Sequence, residues 1–287
     1  MNSYGRLWGM PAWVAVAIGT LVLCAGPVRT LAQSDESTDK LTVHLSDPSR
    51  PGTIKASLVN GGITVNSYDG KDILIEARAR NPWPAPPAYG GMHRVMTRGS
   101  GLTAEEENND VQVSVDSVFH TVDLVFTVPA HTSVVLRTVN DGNITVNGVD
   151  GDLDVSVVNG GITLDNVSGN AVAHTLNGRL LAKFVKVNPQ KAMAFSSLNG
   201  EIDVTFPADL KASLSLHVNR GDVYSDFDVQ VERSVGQPIV EGAGGYGSRY
   251  RVRPDGAVYA SINGGGAAIQ LSSWNGNIFI RKAGGAH

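Results

Sequence analysis

Three groups of residues have types and spacings that chemistry could use. "GAGGYG" (242–247) has the G-x-G-x-x-G spacing of a phosphate-cradling loop. Such a loop works only where it opens a helix, because the phosphate sits on unpaired N–H groups of the first turn. The following "SRYRVRPDGAVYA" reads as extended chain with Pro254 in it, so a glycine-bulged loop is expected instead. "DGDLD" (150–154) spaces Asp150, Asp152 and Asp154 like the start of a calcium loop. That loop needs Gly at its sixth position and Glu at its twelfth. Val155 and Gly161 stand there, which excludes an EF-hand. The aspartates are expected to project from a turn and the strand after it, with weak calcium binding by stacked carboxylates as the functional alternative. Asp203 and Asp222 follow successive Asn-containing turns and form the one carboxylate pair that glycoside chemistry could use.

The remaining reactive types are scattered. His44, His93, His120, His131, His174, His217 and His287 show no H-x-H or H-x₃-H pairing. His174 and His217 stand at similar places before their turns, which suggests an outer strand face. Ser100 in "RGSGL" lacks the G-x-S-x-G elbow that exposes a hydrolase serine. No cofactor or metal is expected, and no catalytic residue is assigned. The better candidates are binding residues: Trp83 and Tyr89 in one irregular stretch, and Tyr246, Arg249, Tyr250 and Arg251 in another. Exposed aromatics and arginines are common anchors of binding surfaces; the structural alternative is that they fold back over the flank of the domain.

What must position these residues is a repeat. "SLVNGGITV" (57–65), "RTVNDGNITV" (137–146), "SVVNGGITL" (156–164), "HTLNGRLLA" (174–182) and "SSLNGEIDV" (196–204) are versions of one phrase. "HVNRGDVYS" (217–225), "SINGGGAAI" (261–269) and "SSWNGNIFI" (272–280) continue it. The anchoring residues are Asn60, Asn140, Asn159, Asn177, Asn199, Asn219, Asn263 and Asn275. From Asn140 to Asn219 the steps are 19, 18, 22 and 20 residues, and a period near that length marks a stacked repeat. Leu153, Val155 and Val157 alternate with Asp154 and Ser156, and Ile162 and Leu164 flank Thr163. This is period-2 patterning with one buried face. A second turn occurs in "NSYDGK" (66–71), "NGVDGD" (147–152) and "DNVSGN" (165–170), so each repeat is two strands and two turns.

Asn-Gly suits the corners because glycine accepts positive φ and asparagine tolerates it. Stacked asparagines can also bond from repeat to repeat. The alternative is a set of ordinary hairpins in a sandwich. Either way the asparagines are structural turn positions. The fold expected is all-β, a single-domain β-solenoid over 40–285, with loop excursions at 81–110 and 230–256.

The ends set the compartment. Arg6 precedes an apolar run, "PAWVAVAIGTLVLCAGP" (11–27), and Thr30 and Ala32 fit a cleavage site. Residues 1–32 are expected to be a cleaved signal peptide, with 33–39 a flexible mature terminus. Gly19, Gly26 and Pro27 argue against an uncleaved anchor. Cys24, the only cysteine, offers lipidation as an alternative, which bulky Leu23 disfavours. The chain after Ala32 has no thiol for a disulfide or a metal. The formal net charge is −4, and residues 1–32 contain Arg6 and Arg29 but no acid, so the remainder is more acidic still. That balance opposes nucleic-acid binding, and no span is expected in the mature chain. The expected location is the periplasm or cell surface.

The spaced N-G turns, "FPADL" (206–210), "NRGDVYSDFD" (219–228) and the closing "WNGNIFI" occur in an order that resembles the bacterial toast-rack, or putative-adhesin, β-repeat domains. The resemblance covers about 40–285 and implies an exported, β-solenoid-like, non-enzymatic envelope or surface module with an adhesin-like or scaffold role. The partner expected is an envelope protein or glycan. A carbohydrate-active enzyme on a β-helical scaffold is the alternative. Arg281 and Lys282 near the last strand blunt its edge, which favours a monomer over end-to-end assembly.

Overall fold

The computed structural model describes residues 38–80, 101–115, 121–232, 239–241, 251–253 and 257–284, all within one compact unit, Glu36–His287. They are all-β. In chain order the strands are β1 (Thr38–Val43), β2 (Gly52–Asn60), β3 (Ile63–Tyr68), β4 (Ile73–Ala79), β5 (Leu102–Glu107), β6 (Asp110–Val115) and β7 (Val122–Pro129). There follow β8 (Thr132–Asn140), β9 (Ile144–Asn147), β10 (Asp150–Asn159), β11 (Ile162–Asn177), β12 (Leu180–Val187), β13 (Met193–Asn199) and β14 (Ile202–Phe206). The last are β15 (Ala212–Arg220), β16 (Val223–Ser225), β17 (Val229–Glu232), β18 (Ile239–Glu241), β19 (Arg251–Arg253), β20 (Val258–Ile262), β21 (Ala267–Asn275) and β22 (Ile278–Lys282). No helix among the described residues is long and apolar enough to cross a membrane.

The strand ending at each Asn-Gly turn and the strand after it join different neighbours. Strands before the turns run parallel in the order β2, β8, β10, β11, β13, β21, β15. Strands after the turns run β7, β3, β9, β11, β12, β14, β22, β16, also parallel. β11 belongs to both runs, because its first residues pair with β9 and β12 and its last with β10 and β13. It bends between them, with register shifts at Leu164–Val167 and Val167–Ser168 and positive φ at Asn166 and Gly169. "DNVSGN" is therefore a corner within a strand.

Parallel strands hold their hydrophobic set in common register, since a one-residue slip would turn every side chain to the other face. The inward set forms one buried cluster, with Phe126, Phe195 and Phe206 among its largest members. Phe184 stacks on Phe206 at 5.5 Å and meets Phe195 edge-on at 6.0 Å.

Both margins depart from the simple repeat. β4 is antiparallel to β7, and β1 to β4. Thr38 and Asp39, expected in a flexible terminus, pair with Arg78 and Ala77 instead. The end of the expected 81–110 loop is a hairpin, β5 with β6, in which Glu107 faces Asp110 across Asn108 and Asn109 at φ 54° and 67°. Two successive positive φ values match the twist of a two-residue hairpin turn. The alternation of Leu102 and Ala104 with polar neighbours is the strand signal that the acidic run obscures. The expected 230–256 excursion likewise contains strand: β17 pairs with β20, and β18 with β19.

Candidate functional site

The turn asparagines set the geometry. Cα partners in register join Asn60 to Asn140, Asn159 to Asn177, Asn177 to Asn199, and Asn199 to Asn275. Each side-chain amide donates to the preceding residue's Oδ1: Asn159 to Asn140 at 2.9 Å, Asn177 to Asn159 at 2.9 Å, Asn199 to Asn177 at 2.8 Å, and Asn275 to Asn199 at 2.8 Å. Asn219 falls outside this line. Its turn reads "NRG", one residue longer than "NG", so Arg220 takes the place opposite Asn275. Asn263 lies in another kind of turn, at φ 52°, donating to the Leu210 carbonyl at 2.7 Å.

Inside the corner runs a second line that the repeat phrase contains but that asparagine spacing alone does not reveal. Thr138, Thr175, Ser197 and Ser273 stand two residues before their asparagines and are buried. Each hydroxyl donates to a glycine carbonyl of the neighbouring turn: Gly61 (2.7 Å), Gly160 (2.8 Å), Gly178 (3.2 Å) and Gly200 (3.4 Å) respectively. The turns approach so closely that a Cβ on Gly178 would lie 2.0 Å from the Gly160 oxygen.

The outer face carries what the turns do not need. The residue before each ladder asparagine points outward and is apolar: Val59, Val139, Val158, Leu176, Leu198 and Trp274. Leu176, Leu198 and Trp274 are 43%, 39% and 51% exposed. Two residues further back is a polar row in strict register, Ser156, His174, Ser196, Ser272 and His217. Within it His174 Nδ1 lies 2.5 Å from Ser196 Oγ. The two rows bound a groove of about 430 Å³. At β8 the polar row carries Arg137, which faces Asp154 at 3.6 Å, and it continues to Ser57 on β2.

The charged candidates are otherwise occupied. Asp203 is buried on the second run; its Oδ1 accepts from Arg281 Nε at 2.7 Å and its Oδ2 from Arg179 Nη2 at 3.1 Å. That hydrogen bond makes the Arg281 guanidinium hold its proton more tightly than usual. Arg281 also lies 5.3 Å above the Phe279 ring, which stacks on Tyr224 at 5.1 Å. The hydrogen-bond partners of the Asp203 carboxylate are thus two arginines, Arg179 and Arg281. Asp222 donates its backbone N–H to Asn277 Oδ1 at 3.0 Å. Asp150, Asp152 and Asp154 face His131, Lys191 and Arg137. Among the described residues no group of three or more His, Cys, Asp or Glu is placed to hold a metal ion.

Trp83, Tyr89, Tyr246, Arg249 and Tyr250 lie outside the described residues, as does the expected signal segment 1–32. Arg251 opens β19.

No family model matches the chain, and no curated protein matches it in sequence. Solved structures similar to it are described as adhesins. A putative cell adhesion protein from Clostridium sporogenes ATCC 15579 is 11% identical, covering 86% of this chain and 99% of that one, at a TM-score of 0.42. A putative adhesin from Bacteroides fragilis NCTC 9343 is 15% identical over 85% and 96% of the two chains, TM-score 0.34. A putative adhesin from Parabacteroides merdae ATCC 43184 is 9% identical over 86% and 97%, TM-score 0.30.

Proposed function

We propose that this chain is an exported, non-enzymatic β-repeat module, a β-solenoid whose outer face binds an envelope or surface component. The observation that supports it is the row Val59, Val139, Val158, Leu176, Leu198 and Trp274. The turn is held by asparagine, glycine and the inner hydroxyls, so nothing in the core asks for an apolar side chain at the outward position. A contiguous exposed apolar strip marks an interaction surface. Repetition keeps it in line, because each repeat adds one side chain to the strip. Export is read from the n-region, apolar core and cleavage site at 1–32, which supports a location in the periplasm or on the surface.

The experiment is retention of the labelled protein on envelope fractions of its own host. A Leu176→Ser, Leu198→Ser double variant should lose retention, while Lys186→Ser on another strand keeps it. Equal retention of all three forms would move binding elsewhere. Retention of none would end the binding reading.

A further inference from the structure

We propose that the groove beside Trp274 binds a short neutral oligosaccharide. The proposal rests on the binding reading above and names the ligand class for the same face.

The first observation is the indole. Of the outward positions before the ladder asparagines, five are aliphatic and the sixth is Trp274, half exposed beside Leu198. An indole set outward offers a flat apolar plate with one N–H at its edge. A pyranose ring has a matching apolar C–H face and polar rim.

The second is the polar row. Ser156, His174, Ser196, Ser272 and His217 come one from each of five adjacent strands. Four strand spacings of ~4.8 Å extend the row over about 19 Å, room for a few linked sugar rings. Serine hydroxyls both donate and accept, and neutral imidazole has one nitrogen of each kind. Sugar hydroxyls also do both, so either partner can adjust to the other.

The third is charge. The residues lining the groove include no Asp, Glu, Lys or Arg, and the nearest arginine in the row, Arg137, already faces Asp154. A carboxylated or phosphorylated ligand would give up hydration with no guanidinium or ammonium to replace it. A neutral one gives up only the hydration of its hydroxyls, which the serine and histidine side chains can replace.

The fourth separates sugar from peptide. An extended peptide gains affinity by pairing its backbone with an open sheet edge. β10, β11, β13 and β21 are each hydrogen-bonded on both sides, so their amides are used. A ligand lying across these four strands must bring its hydrogen bonds to side chains; β15 has strand partners on both sides only over Ala212–Leu216.

The test is isothermal titration of the full chain with cellotetraose, maltotetraose, mannotetraose and N-acetylglucosamine tetramer, against tetragalacturonate and an apolar extended heptapeptide. At least one neutral tetrasaccharide should bind saturably, with at least about tenfold loss in both Trp274→Ala and His174→Ala. Both side chains are exposed, so unchanged circular dichroism is expected, and Lys186→Ser, on a strand outside the groove, should leave the affinity as it was. Saturable binding of none of the four neutral sugars, tighter binding of tetragalacturonate, survival of binding in Trp274→Ala, or its loss in Lys186→Ser would each overturn the proposal. Binding of the peptide alone would also overturn it. If envelope retention then still depended on Leu176 and Leu198, the binding function would stand with a different ligand. Loss of both would reject both readings.

Discussion

Asn199 donates its side-chain amide to Asn177 Oδ1 at 2.8 Å, although 22 residues separate them in the chain. Asn177 in turn donates to Asn159, so the line has one direction and every interior member both gives and receives. Asn177→Asp removes the donor and sets a carboxylate oxygen against Asn159 Oδ1. It should lower stability by about 1–3 kcal/mol, more than Asn177→Ala, which leaves water free to serve both neighbours. Urea unfolding of the two variants checks the order; equal midpoints would mean that the line contributes no directional bond.

Two glycines with different surroundings separate close packing from backbone preference. A Cβ at Gly178 would lie 2.0 Å from the Gly160 carbonyl oxygen and 2.5 Å from its carbon. Gly264, at φ 82°, has nothing within 4 Å. Gly178→Ala must push two turns apart and should cost more than about 3 kcal/mol, whereas Gly264→Ala should cost about 1–2 kcal/mol from conformation alone. Thermal melts of both give the comparison, and a mild Gly178→Ala would contradict the close stacking.

Acid should loosen one margin first. Glu106 accepts from the Asn109 backbone N–H at 2.8 Å and from the Ser46 N–H and hydroxyl at 3.1 and 2.9 Å. These bonds, the Asn109 one foremost, hold its carboxyl below the usual glutamate range. A depressed folded value means the stabilisation is complete above the unfolded value, about pH 4.3, and is lost as pH falls through the folded one. Urea midpoints should therefore drop below about pH 4, and Glu106→Gln should show a shallower drop. An unchanged slope in that variant would exclude Glu106 as a contributor.

Asp203→Asn keeps the volume and removes the charge that Arg179 and Arg281 share. Both arginines reach solvent, so the loss should be about 1–3 kcal/mol, below that for a fully buried pair. Titration with the neutral tetrasaccharides should be unaffected, because Asp203 lies on the other run of strands. Differential scanning calorimetry and the same titration check both parts; lost sugar binding in a folded variant would place Asp203 in the site.

The asparagine phrase made the all-β class and the repeating corner legible, because turn chemistry is local: asparagine and glycine at a tight corner, then alternating apolar residues, need no distant partner to be recognised. The outward Val, Leu and Trp before each asparagine were also in plain view. Their meaning was not, since alternation reveals only that a residue points away from the core, not what stands beside it.

Register is the part that only the tertiary structure decided. Asn219 looks like the other anchors, yet the extra residue in "NRG" puts Arg220 opposite Asn275. Asp203 resembles a free carboxylate until strands distant in sequence bring Arg179 and Arg281 to it. His174, Ser196, Ser272 and His217 lie far apart along the chain and become one row because parallel strands stack in common register. Local sequence specified the corners; the order in which the strands stacked on one another, chosen by the shared core, determined which side chains meet.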